Sequence, residues 1–536
     1  MKKMIVLILI FILNNTIFSQ DANWVTTWGL ETQDVYTTAT HLDNIGNVYT
    51  VGFNSNNSSD TIYSCIVNKF SSVGTHEYTR SFYTGGVGNN PIITSDAERN
   101  IYVYADVYIR KFSESGELLL EFPHYYTMGV TNLKIDSENN IYVYGSVDDN
   151  DNSKFGPGIF KYNAEGIEVW DYVAFPVIIP NAQSGFLTDV IMDSEDNSVI
   201  TGYLTKSGNQ SIFIASIDKN GLVNWQNEFS LQNKSIMQAN KLARMSNGNY
   251  CITGFCGREY YENTYDAITL SFLEDGSLSW YKTFDLDSDQ DQAWDIEAYN
   301  SGVVVSGLGT TEDEKTMFAV YYAMSGNETW TYSDAPKIWR ESFTFNSFPP
   351  NSTSIIVDNT NIVISGALDY GAGNSEYISA KLNSSGELVG NIMFASEFLG
   401  TVDNSYKLNN KGILICADLN GTTTDRYLKI INYDLSLITT DIYETNALPN
   451  EFSLSQNYPN PFNPTTSIEY SLVRHEFVSL KVYDVLGREV ATLVNEIKSP
   501  GKYVVNFNGE FLSSGIYIYK LFNNSQSIVK KLMLIK

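Results

Sequence analysis

Along most of the chain, runs of about 4–8 β-forming residues alternate with clusters of Asn, Asp, Gly and Ser, the pattern of short strands separated by turns. No segment shows sustained helical periodicity. The runs also repeat. A turn rich in Asp, Asn and Gly precedes an apolar strand that ends in Gly or Ala, as in Asn47-Val48-Tyr49-Thr50-Val51-Gly52 and Asn140-Ile141-Tyr142-Val143-Tyr144-Gly145. The closing Gly or Ala stands at positions 52, 105, 145, 202, 254, 307, 366 and 417, with steps of 53, 40, 57, 52, 53, 59 and 51.

A second strand follows each anchor and ends in a turn with Gly, and a third often opens with Trp. Gly166 and Trp170, Gly221 and Trp225, Gly276 and Trp280, and Gly326 and Trp330 share one spacing. A glycine suits a tight turn needing positive φ, and a Trp at a fixed register is expected to pack between neighbouring units. Units of about four short strands at this period specify an all-β fold, a β-propeller rather than a sandwich or barrel. The count is eight blades, or seven if the unit with the step of 40 is merged. Trp24–Gly29 reads as a strand without a unit of its own, available to close the ring against the last blade, Ile413–Tyr443.

Composition agrees: aromatic residues make up 13% of the 536 positions and charged residues 18%. The net charge is −27, from 34 Lys+Arg against 61 Asp+Glu, which excludes a nucleic-acid-binding surface built on clustered cations. The charge is uneven. Residues 446–536 hold nine Lys+Arg and seven Asp+Glu, whereas residues 20–445 carry −31, so a domain boundary is expected near residue 446.

Lys2 and Lys3 precede the apolar run Met4–Leu13, and Ser19 follows at the distance of a cleavage site. This reads as a secretory signal peptide over residues 1–19, cut between Ser19 and Gln20. Ten apolar residues are too few to span a bilayer, and no transmembrane segment is expected in the mature chain. Four cysteines do not make a disulfide framework, and Cys65, Cys251 and Cys416 sit in strand-like runs as expected for buried thiols.

After a linker at 446–450, residues 451–536 change character. Leu454–Thr466 concentrates three prolines, which predicts an ordered, extended edge because Pro cannot join a central ladder. Alternating strands follow, with turns at Asp484-Val485-Leu486-Gly487 and Leu512-Ser513-Ser514-Gly515, and a closing hairpin ends the chain. About seven strands make a small Ig-like β-sandwich, a form that an adhesion module would share.

Two resemblances follow from these residues. Asp43…Gly46-Asn47-Val48-Tyr49…Gly52…Lys69-Phe70…Gly74, and Asp136–Gly145 with Lys161-Tyr162 and Gly166, resemble the β-propeller repeats of secreted bacterial proteins. The Gln-Asn-Tyr-Pro-Asn-Pro-Phe-Asn-Pro block, Val482-Tyr483-Asp484…Gly487, Leu512–Tyr517 and Lys530–Lys536 resemble the type A C-terminal sorting domain of the type IX secretion system. Val473 departs from the many members with Pro there. The resemblance implies passage through the periplasm to the surface of a Gram-negative bacterium, recognition by the translocon and removal by a sortase-like surface protease. Asn457, Pro459, Pro461, Gly487, Gly515, Lys530, Lys531 and Lys536 are the implied sorting-signal residues.

The body holds no His-Glu-x-x-His, Gly-x-Ser-x-Gly or P-loop, and no catalytic residues stand out. Asp285, Asp287, Asp289 and Asp291 alternate like the first ligands of a calcium loop. Gln290 and Ile296 occupy the places where an EF-hand has Gly and Glu, so calcium is a candidate cofactor only through a looser loop. The leading expectation for the propeller is therefore a glycan- or protein-binding or adhesion module. The alternative is a secreted enzyme acting on a polysaccharide or glycoconjugate, with carboxylates lining the central channel.

Overall fold

The computed structural model describes residues 22–434 and 452–536 apart from 29–32, 57–62, 85–90, 126, 149–154, 174–183, 259–263, 287–289, 312–313, 334–352, 358–360, 370–374, 396–401, 409–411, 421–425, 473–475, 499–500 and 524–525. The chain forms two compact units, Met1–Thr439 and Thr440–Lys536. Every element assigned in them is a strand. No helix among the described residues is long and apolar enough to cross a membrane.

The first unit is a ring of eight four-stranded antiparallel blades. Blades 1 to 7 span residues 33–83, 92–123, 127–173, 184–229, 236–284, 292–333 and 353–395. Blade 8 combines Val402–Leu408, Gly412–Asn420 and Arg426–Asp434 with the N-terminal strand Ala22–Trp28, which pairs antiparallel with Arg426–Asp434. Each innermost strand packs against the next, and Val402–Leu408 of blade 8 meets Gln33–Leu42 of blade 1. The unit with the short step is a complete blade with abbreviated strands, Ile92–Ser95, Ile101–Ala105, Tyr108–Phe112 and Leu118–Pro123. That decides eight blades over seven.

The apolar cores lie between blades. Tyr49, Val51 and Val67 of blade 1 pack on Ile93, Ile101 and Val103 of blade 2, and comparable clusters join each pair up to blades 6 and 7. Aromatic side chains of the outer strands extend these seams. Trp170, Trp225, Trp280 and Trp330 each lie against the turn glycine of the next blade, Gly221, Gly276, Gly326 and Gly386. Those glycines adopt φ between 77° and 85°, and a Cβ on any of them would press into the indole. Trp170, Trp280 and Trp330 also donate Nε1–H to the turn carbonyls of Lys219, Met324 and Ser384.

The Asp…Asn…Tyr…Lys consensus is a structural staple. Asp136 Oδ1 accepts from the Glu138 and Asn140 N–H groups, and Oδ2 accepts from Asn140 Nδ2. Lys161 Nζ lies 3.4 Å from Asp136 Oδ2, 4.8 Å from the Tyr142 ring centroid, and donates to Lys219 O of the next blade. Such a pair tolerates burial because both charges are hydrogen-bonded as well as paired.

The anchor glycines have a separate cause. Six inner strands carry a β-bulge at one register, at Thr38, Thr131, Thr188, Asn240, Trp294 and Asp403. The partner of the residue before each bulge is the anchor: Gly52, Gly145, Gly202, Gly254, Gly307 or Ala417. The bulge drives an inner-strand carbonyl inwards, so that a Cβ on Gly145, Gly202, Gly254 or Gly307 would overlap the oxygen of Gly129, Phe186, Gln238 or Gln292. Blade 2, whose inner strand has no bulge, carries Ala105, while Ala417 of blade 8 stands opposite a bulge and Gly366 of blade 7 pairs with Thr353 in an unshifted register.

Cys65, Cys251 and Cys256 are buried and free, and burial pushes the Cys251 and Cys256 thiols up to about 12. Cys416 lies in Gly412–Asn420, with its side chain outside the described residues. The overlap at the bulges yields a stability test. Gly254→Ala is expected to destabilise the propeller by about 2–3 kcal/mol in urea unfolding, as overpacking against a backbone does. Ala105→Gly, with no bulge opposite, should cost about 1 kcal/mol or less. Equal effects at the two positions would contradict the bulge as the cause.

Candidate functional site

The bulge turns the following inner-strand residue towards the next blade, and in blades 4 to 6 that residue is charged. Asp189 Oδ2 accepts the Leu242 N–H of blade 5 at 3.0 Å, and its Oδ1 lies 3.7 Å from Lys241 Nζ. Asp295 Oδ1 accepts the Ile296 N–H, and Oδ2 accepts the Ile355 N–H of blade 7 at 2.7 Å. Burial raises the Asp295 carboxyl to about 6, although Lys241 and these two N–H groups pull it down. Lys241 is raised chiefly by Asp189, with Asp295 and Glu297 adding to it. On blade 3, burial lowers Lys134 despite Asp189.

His41 of blade 1 hydrogen-bonds through Nε2 to Ser95 Oγ of blade 2 at 2.7 Å, and burial lowers its imidazole to about 4. His124 is buried among Tyr104, Phe160 and Tyr162, hydrogen-bonds through Nδ1 to the Tyr162 hydroxyl, and is likewise lowered to about 4 by burial. His124 follows the outermost strand of blade 2, whereas the other groups make the inner strands a belt of charged and hydrogen-bonded links between adjacent blades. Asp189 and Lys241 escaped the motif search, although each stands thirteen positions before an anchor glycine. That offset is the signal that would have found them.

Of the four proposed calcium-loop residues, two are described. Asp285 is exposed, while Asp291 is 1% exposed and its Oδ2 accepts the Leu286 N–H at 2.8 Å. Asp287 and Asp289 lie outside the described residues, as do Ser19 and Gln20. Among the described residues no group of three or more His, Cys, Asp or Glu could hold a metal ion.

The second unit is a two-sheet sandwich. Ser453–Leu454, Thr465–Leu472 and Gly501–Asn508 form one sheet, and Glu489–Lys498, Glu476–Tyr483, Gly515–Asn523 and Ser527–Leu534 form the other in that spatial order. Between them lies a core containing Ile468, Tyr470, Val482, Tyr519 and Leu532. Gly487, at φ 79°, closes a turn in which Asp484 Oδ1 accepts two backbone N–H groups, and Gly515 opens its strand.

The Pro-rich segment differs from the expected extended edge. It bends, with cis bonds at Tyr458–Pro459 and Asn460–Pro461, and lies along the open edge of the terminal strand. Gln456 Nε2 donates to Lys531 O, and Asn460 Oδ1 accepts the Met533 N–H. The Phe462 N–H donates to Met533 O, and Phe462 O accepts the Ile535 N–H. Asn457 fastens the strap from inside: its N–H donates to the Tyr519 hydroxyl and its Nδ2 to Thr466 Oγ1. The prolines donate no N–H, so side chains and Phe462 complete the edge in their place. Lys530 and Lys531 lie on this strapped strand, and the Lys536 N–H donates to Ser514 Oγ.

Two outcomes follow. An imidazole held near 4 takes its proton first in the unfolded chain, so stability falls as pH drops from about 6.5 to about 4. Asp295 acts oppositely, gaining its proton first in the folded chain as pH falls through about 6. With two imidazoles against one carboxyl, the melting temperature is expected to fall on acidification, and His124→Gln should flatten that slope; identical slopes would refute the assignment. In the sorting unit, Asn460→Ala removes an edge acceptor and should raise amide exchange at Met533 about fivefold or more, for a loss of about 1 kcal/mol. Unchanged exchange there would show that the strap bears no load.

Residues 456–536 match the family described as secretion system C-terminal sorting domain. No curated protein matches the chain in sequence. Among solved structures, similar ones include a catalytically inactive virginiamycin B lyase from Staphylococcus aureus with quinupristin, at 12% identity over 76% of this chain and 99% of that one, TM-score 0.36. Another is PorZ of Porphyromonas gingivalis, titled an essential surface component of the type IX secretion system, at 11% over 94% and 82%, TM-score 0.32. The WD40 domain of SCAP from fission yeast gives 10% over 76% and 98%, TM-score 0.40. The eight-bladed ring is established by the strand pairing itself. Residues 456–536 are a C-terminal sorting domain of the type IX secretion system, carried on the same chain as an eight-bladed β-propeller.

Proposed function

We propose that this protein is a cargo of type IX secretion whose propeller, residues 20–445, binds a glycan or protein ligand at or beyond the cell surface. Residues 1–19 act as the signal peptide, cleaved between Ser19 and Gln20. The domain at 451–536 then hands the chain to the translocon, and a surface protease cuts near the linker at 446–450. The observation that carries the export reading is the family match over 456–536, whose folded strands and strap account for the motif residues.

A binding role is supported over glycan hydrolysis by the inner-wall carboxylates. Paired-carboxylate hydrolysis needs one acid and one base or nucleophile facing the substrate. Both oxygens of Asp295 are engaged by backbone N–H groups, and Asp189 is shared between Leu242 N–H and Lys241. Turnover of any glycan by the purified full-length protein would overturn that preference.

Deleting residues 450–536 is expected to leave the chain in the periplasm with Gln20 at its N-terminus. Fractionation and N-terminal sequencing read both points. Surface export of the truncated chain would sink the proposal.

A further inference from the structure

The two outer faces of the sorting sandwich differ. On the three-stranded sheet, Ser467 Oγ donates to Asn506 Oδ1, Glu469 stands opposite Val504, and Val504 is a lone exposed hydrophobic. On the four-stranded sheet, Phe477, Ile516, Phe522, Val529 and Met533, with Ile535 just past its terminal strand, are all 36–55% exposed. The register brings them together: Ile516 is opposite Met533, Phe522 is opposite Ser479, one pleat from Phe477, and Val529 is opposite Lys520. Clustered exposed apolar side chains of this kind mark interaction surfaces.

A lysine band crosses the same face. Lys481 and Lys520 are direct cross-strand partners, and Lys531 stands opposite Ile518, one pleat further along. Like charges in direct opposition cost stability. Glu489 neutralises Lys481 at 2.9 Å, whereas Lys520 and Lys531 form no ion pair among the described residues. The edge beside this face is closed to strand addition over residues 531–535, because Gln456, Asn460 and Phe462 already hold its backbone groups. A partner on this side of the domain must therefore approach the face.

We propose that the outward face formed by Glu476–Tyr483, Gly515–Asn523 and Ser527–Leu534 docks an acidic protein surface of the export machinery, with carboxylates meeting Lys520 and Lys531 and apolar groups covering the flanking patches. Charge complementarity selects the occupant, since the face offers cations without an unpaired carboxylate among its described residues. The inference rests on the reading that residues 451–536 direct export, and it assigns that recognition to one face.

The test is Lys520→Glu/Lys531→Glu in the full-length chain. A glutamate at position 520 stands opposite Lys481, so the melting temperature and trypsin resistance of the purified protein should hold; Lys531→Glu alone serves if the double variant melts early. Surface delivery is expected to fall about tenfold or more, with precursor accumulating in the periplasm. Normal delivery of these variants, while deletion of 450–536 is retained, overturns the face and spares the export reading. Normal delivery of the deletion as well overturns both. Flotation of the wild-type chain with phosphatidylglycerol vesicles, lost in the double variant, would identify a lipid occupant and also overturn the proposal.

Discussion

The propeller depends on the pairing of its two ends. Ala22–Trp28 supplies the outermost strand of blade 8, so the ring is closed by backbone hydrogen bonds between segments some 400 positions apart. Everything else in the unit acts between neighbours: an apolar seam, an indole on a turn glycine, a lysine reaching the next blade's turn. Nearest-neighbour contacts alone build an open solenoid as readily as a ring. Closure converts them into a structure with no exposed terminal blade face.

This division explains why residues with chemical potential serve structural ends. A closed ring crowds its inner strands, and in blades 3 to 6 the bulge pushes a carbonyl against the second strand, where glycine leaves room for it. The residue after the bulge is left beside the neighbouring blade's backbone. Asp189 and Asp295 satisfy N–H groups there, and the buried charges are tolerable because Lys241 lies between them. The same logic applies to Asp136 and Lys161 at the turn.

The sorting unit faces the opposite difficulty, since a sandwich keeps its edges. Its terminal strand would present unpaired backbone groups, and the Gln-Asn-Tyr-Pro-Asn-Pro-Phe segment covers them without itself becoming another pairing edge. Asn460 imitates a peptide group with its side chain, as a segment interrupted by prolines requires.

Much was legible from the chain alone. The recurring anchor glycines, the Gly-x-x-x-Trp spacing and the turn Asp and Asn residues are local requirements of one blade, repeated, so they appear as periodicity. The proline block and the closing hairpin were legible from their own local composition, although the bend of the block into a strap was not. What sequence could not reveal are relations between distant segments. It left the blade number at seven or eight, because blade 2 is recognised as complete only once its four short strands are seen paired. It passed over Asp189 and Lys241, and it could not name the partners of Asp295, on another blade, or of Gln456 and Asn460, more than 70 residues away. Periodicity records what each unit needs from itself; which side chain meets which backbone group across a seam or a sheet edge is decided only when the ring closes and the strap folds back.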